Sequence, residues 1–126
     1  MGLVRRVGQA CLATVFVSGG LDTLRHPAPR AEKASSLGLA ERLGTTDETL
    51  VRANAAAMVL GGAALAFDVL PRVAAAGLAA SLAPTTLAGH PFWREADPKQ
   101  RANQRVHFAK NVSLLGGCLL LASSRR

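Results

Sequence analysis

The sequence predicts an all-α fold, a four-helix transmembrane bundle with a short interfacial helix between helices 1 and 2. Three observations carry this reading. Hydrophobic residues fill 49% of the 126 positions before 12 glycines are counted, more than a soluble domain of this length usually carries. Long apolar runs alternate with segments that hold most of the charge, as in chains that cross lipid repeatedly. The apolar residues are mainly Ala, Leu, Val and Gly, with four Phe, one Trp and no Tyr, and small residues let helix backbones approach closely in a bilayer. The length fits a single domain over residues 1–126.

The first apolar run, about 3–24, is interrupted by Arg5, Arg6, Gln9 and Asp22. At 1.5 Å per residue it is long enough to span a bilayer core. Arg5-Arg6 before an apolar run also fits a signal peptide, but no clear small-x-small cleavage site follows, so the segment is read as a retained helix. It stops at Arg25-His26-Pro27-Ala28-Pro29, where two prolines remove backbone donors. Residues 31–43 put Ala34, Leu37, Ala40 and Leu43 on one side, which predicts the interfacial helix. Thr45 with Glu48 fits a capping box that opens a second span over 46–69.

Pro71 suits the first turn of a third helix, 71–89, which the short turn makes an antiparallel neighbour of the second. Pro84 predicts a kink there, with the Thr85 and Thr86 hydroxyls available to freed carbonyls. In the loop that follows, Trp93 is an amphipathic ring suited to head-group depth. Asp97-Pro98 reads as the N-cap and first residue of a fourth helix, 98–123, polar in its first half and apolar from Val112 to Ala122.

A net charge of +7 raises the question of nucleic acid, and the placement of the charge answers it. Arg5, Arg6, Arg125 and Arg126 lie at the chain ends, and most other basic residues sit in 25–52 and 94–110, between apolar runs. This is the distribution of membrane flanks that meet anionic head groups, without the aromatic platform that single-stranded nucleic acid needs. Membrane lipids are the expected partners, nucleic acid is not, and the expected location is the cell membrane with several passes. Five basic residues at the termini end oppose ten at the loop end, but the loop-end charges are diluted by acidic residues, which leaves orientation open.

Candidate chemistry centres on polar groups at membrane depth, where ionisable side chains are costly. Gln100, Gln104, His107, Asn111 and Cys118 share one face of the fourth helix, and Cys11, Ser18 and Asp22 share one face of the first. Asp22, Asn54, Gln104, His107, Lys110 and Asn111 are therefore the candidate ligand-binding residues of a polar pocket, binding a head group or relaying protons. The alternative is structural: Asp22 paired with Lys110 or Arg52 only to neutralise charge, and Gln104 and Asn111 acting as interhelical hydrogen-bond glue. Cys11 and Cys118 fit a redox pair less well than two small apolar fillers. His26 and His90, in loops on the side of His107, permit a metal but specify none, and no metal site, cofactor or catalytic residue is assigned.

The stretches VFVSGGLDTLRHP and GHPFWREADPKQRANQRVHFAKNVSLLGGCLLL resemble sequences of the DoxX family. The second matches on Phe92, Trp93, Gln104, Phe108, Lys110, Asn111, Gly116 and Gly117. The resemblance implies a four-helix membrane bundle. It also implies an association with membrane redox assemblies, since the namesake branch resembles subunits of a thiosulfate:quinone oxidoreductase, which makes quinone the one cofactor to expect. Two functions follow: a subunit of a redox-associated complex lining a quinone-proximal pocket, or a non-catalytic accessory subunit whose small-residue helices, such as the one holding Gly77 and Ser81, dock on a larger membrane complex. Whether the chain is an enzyme stays open. A small-solute carrier is disfavoured because no internal repeat is visible.

Overall fold

The apolar runs fold into six α-helices and two 3₁₀ turns, with no strand, among residues 2–125, which the computed structural model describes. Met1 and Arg126, the latter one of the basic end residues, lie outside them. The helices are α1 (Leu3–Arg25), α2 (Ala28–Ala34), α3 (Leu39–Leu43), α4 (Asp47–Ala66), α5 (Pro71–Gly89) and α6 (Pro98–Ser123). α1, α4 and α6 are long and apolar enough to cross a membrane. α5, expected as a span of its own, is not among them; Arg72, Ser81, Pro84, Thr85 and Thr86 dilute its hydropathy.

The expected interfacial helix over 31–43 is instead α2, a 3₁₀ turn at Ser35–Leu37, and α3. Gly38 breaks it by taking a left-handed conformation, φ +62°, which L side chains resist. α3 then closes in a Schellman motif around Gly44: the Gly44 N–H reaches the Glu41 carbonyl and the Thr45 N–H reaches the Ala40 carbonyl. That commits Thr45 to ending α3. The N-cap of α4 is consequently Thr46, one residue later than expected, its hydroxyl accepting from the Thr49 amide at 3.1 Å.

α4 stops at Ala66 rather than 69 for a related reason. Asp68 (φ +59°) and Leu70 (φ +44°) take left-handed backbone in a second Schellman closure, the Val69 N–H bonding the Ala64 carbonyl at 2.8 Å. This reversal lets Pro71 open α5 at once. α6 starts as its sequence dictates, with Asp97 accepting from the Gln100 amide and Pro98 in the first turn.

α1 packs most extensively on α4, α4 on α5 and α5 on α6, and α2 and α3 sit over one end. The α1–α4 seam is set by small residues seven apart: Ala13 and Gly20 on α1 against Gly62 and Ala55 on α4. A Cβ added at Gly20 would lie 2.8 Å from the Ala55 carbonyl oxygen, and one at Gly62 would lie 2.8 Å from Val17 Cγ2. Side by side with this seam, Phe16, Leu65, Leu78 and Cys118 form a core with Ala13, Ala79 and Leu82. Cys118 is thus an apolar filler, and exposed Cys11 is not bonded to it.

Outside this core the apolar surface is unusually bare. At most 28% of the apolar window of any candidate span is buried, and Leu60, Val73, Val112, Leu119 and Leu120 point outward. Exposure on this scale is costly in water and favourable in hydrocarbon.

At the termini end, Gln9 is 2% exposed and donates to Asp68 Oδ1 at 3.0 Å. Arg5 reaches Ser124 and Arg72 donates to the Ala122 carbonyl, so two guanidiniums meet the negative end of the α6 dipole. Gln9 Oε1 and Arg5 Nε are buried without a partner among the described residues.

Candidate functional site

Polar side chains within the bundle gather on the two flanks of α5. Pro84 lacks the N–H that would hold the preceding turn, and the next two residues are threonines whose hydroxyls bond back to the Ser81 and Leu82 carbonyls, each at 2.7 Å. The same hydroxyls also reach outward to neighbouring helices. On one flank Asn54 of α4 donates to Thr85 Oγ1 at 3.3 Å and accepts from Ser81 Oγ at 2.7 Å. On the other, Asn111 of α6, 7% exposed, donates to Thr86 Oγ1 at 3.1 Å. Ser81, on the small-residue helix expected to dock, therefore points toward α4.

Nearer the loops, where α6 leaves the apolar zone, Gln104 Oε1 lies 2.7 Å from His90 Nδ1. With Gln104 accepting, His90 carries its proton on Nδ1, and Nε2 keeps a lone pair. The His107 ring stacks on His90, centroids 5.1 Å apart and planes 16° from parallel. Burial holds the His90 pKa below its usual 6.5; the Gln104 bond opposes this, while His107, Lys33 and Lys110 reinforce it by charge. Phe92, Trp93 and Phe108 pack edge to face at 5.2 to 5.9 Å, and the Arg105 guanidinium lies 5.5 Å over Phe92, pinning the loop to α6.

The six predicted pocket residues thus divide. Gln104 and His107 come together, joined by His90. Asn111 lies one turn deeper on the same helix face, held by Thr86, and Asn54 occupies the opposite flank of α5. Lys110 is exposed. Asp22 pairs with none of the expected partners: its carboxylate, 56% exposed, meets Arg30 of α2 at 2.7 Å across the short turn between α1 and α2. Arg52 pairs instead with Glu48 one turn away. The acid expected at the centre of a vestibule is a surface ion pair.

Sequence reasoning undervalued His90; its one signal was lying on the same side of the membrane as His107. The described residues contain no group of three or more His, Cys, Asp or Glu placed to hold a metal.

The family model described as DoxX matches residues 5–91. The chain belongs to the DoxX family. The DoxX match covers α1 to α5 and ends at His90-Pro91, so the resemblance read from Phe92 to Gly117 lies beyond it. No curated protein and no solved structure matches the chain. Family membership and three apolar helices make this a small membrane protein.

Proposed function

We propose that this DoxX protein is a multi-pass cell-membrane subunit of a redox-associated complex, contributing helix-packing surface rather than a reaction centre. The observation that carries the non-catalytic part is the fate of the membrane-depth polar groups. Asn54 and Asn111 spend their amides on Ser81, Thr85 and Thr86, and Asp22 is neutralised by Arg30 at the surface. Groups so engaged act as interhelical fasteners. The outward face of α5 around Ala76, Gly77, Ala80 and Ala83 is exposed and offers close backbone approach to another helix. The redox association rests on the family resemblance.

A second reading, a quinone-proximal pocket, is favoured by one feature, the His90–Gln104–His107 cluster, whose lone pair on His90 Nε2 is a ready acceptor. Purification in mild detergent, with mass spectrometry and a visible spectrum, separates the two. A stoichiometric membrane partner without quinone supports the accessory subunit. Bound quinone that is lost in His107→Ala but kept in Leu114→Ala supports the pocket. Neither partner nor quinone defeats both.

A further inference from the structure

A cavity of about 160 Å³ opens at the loop end, with Lys33 of α2, Gly89 at the end of α5, Arg94 and Glu95 of the loop, and Gln104 of α6 in its wall. Its size is selective. It holds several times the ~30 Å³ share of one water but falls below the ~300 Å³ at which ordinary small-molecule pockets begin, which suits a compact group better than a ring system. Its charge is selective too. Lys33 and Arg94 oppose the single carboxylate of Glu95, and among the described residues neither cation has a carboxylate in salt-bridge reach, the ion pairs there being Arg30–Asp22 and Arg52–Glu48. Gln104 has its oxygen engaged by His90, which leaves its amide N–H groups to donate. Trp93, an amphipathic ring suited to head-group depth, lies in the same short turn as Arg94, next to Glu95.

We propose that this cavity binds a phosphate group, with Lys33 and Arg94 as charge-assisted donors to its oxygens and Gln104 as a neutral third donor. A tetrahedral oxyanion accepts in several directions at once, which a fork-shaped guanidinium and a flexible ammonium meet well. A phospholipid head group and free inorganic phosphate offer the same chemistry. The inference is independent of the proposed function. It has a pH consequence, because a bound anion offsets the charge of Lys33 and Lys110, which together with burial and the neighbouring His107 disfavours a proton on His90. Phosphate binding and His90 protonation therefore favour each other.

The test uses the full chain in vesicles of phosphatidylcholine mixed with phosphatidylglycerol, extracted in mild detergent and weighed by native mass spectrometry. Wild type retains one phosphatidylglycerol, and the Lys33→Ala/Arg94→Ala variant retains about tenfold less, corresponding to ~1.4 kcal/mol. Lys99→Ala, which removes a cation on the same side but outside the cavity wall, keeps the wild-type level. Displacement of the lipid by inorganic phosphate identifies the free anion as a ligand; resistance to displacement identifies the lipid. Equal retention by all three folded proteins overturns the proposal. A second readout is the His90 imidazole titration by NMR in phosphatidylcholine: the phosphate that the first test identifies, added as phosphatidylglycerol or as the inorganic anion, moves it upward in wild type but not in the double variant. No differential movement overturns the proposal as well.

Discussion

Gly20→Ala tests whether the α1–α4 seam depends on backbone contact. The new methyl carbon would sit 2.8 Å from the Ala55 carbonyl oxygen and 2.7 Å from Val59 Cγ2. Val59 can change rotamer; the carbonyl belongs to a helix and cannot yield without moving α4. Overpacking of this kind costs ~1–3 kcal/mol. A glycine-to-alanine change in a helix also gains up to about 1 kcal/mol of propensity, which would blur a single measurement. Gly77→Ala supplies the correction, because a Cβ there meets nothing within 4 Å while the propensity gain is the same. The difference between the two variants isolates the steric cost, and Gly20→Ala should be less stable than Gly77→Ala by ~1–3 kcal/mol. Unfolding of the purified chain in mixed micelles of increasing denaturing-detergent fraction, followed by circular dichroism, reads this difference. Equal midpoints, or a more resistant Gly20→Ala, would show that the helices are not in backbone contact at this position.

Three further outcomes are expected. Asp22→Asn and Arg30→Ala should each change stability by no more than ~1 kcal/mol, since the pair is solvent-exposed; a larger loss in the same titration would mean that Asp22 has a buried partner. Asn111→Ala should cost about 1 kcal/mol through the lost bond to Thr86, and Thr86→Val should abolish the added cost of the Asn111 change in a double-mutant cycle. The pH dependence follows from His90, whose folded pKa lies below the ordinary value. The unfolded chain therefore takes up the proton first as pH falls. This contribution to stability is fully present above about 6.5 and is lost as pH drops through the folded pKa. Thermal melts of wild type in detergent should show the decline, and those of His90→Phe should show less of it.

Helix existence was legible because apolar period and length survive any tertiary arrangement, and α1, α5 and α6 begin and end within a residue or so of expectation. Capping was legible wherever one residue had one task, as at Asp97. It failed where tasks competed: Thr45 and Thr46 are chemically equivalent N-caps, and only the Schellman closure at Gly44 decides between them. The early end of α4 was not legible, because an acid in left-handed backbone, as Asp68 is, looks the same in sequence as one in the last turn of a span. Of the candidate site, the helical wheel of α6 placed Gln104, His107 and Asn111 on one face. It could not say that Arg30 would take Asp22 out of the cluster, since that depends on the path of the turn through His26 and Pro27 between α1 and α2.

The adjacent threonines of α5 make its rotation a discrete variable. Thr85 and Thr86 are about 100° apart on the helix, and each is held by an asparagine on a different neighbour. Turning α5 in either direction to improve one bond carries the other hydroxyl away from its partner, so small rotations are opposed from both sides. The helix that lies between α4 and α6 is thus keyed in rotation by one asparagine on each flank.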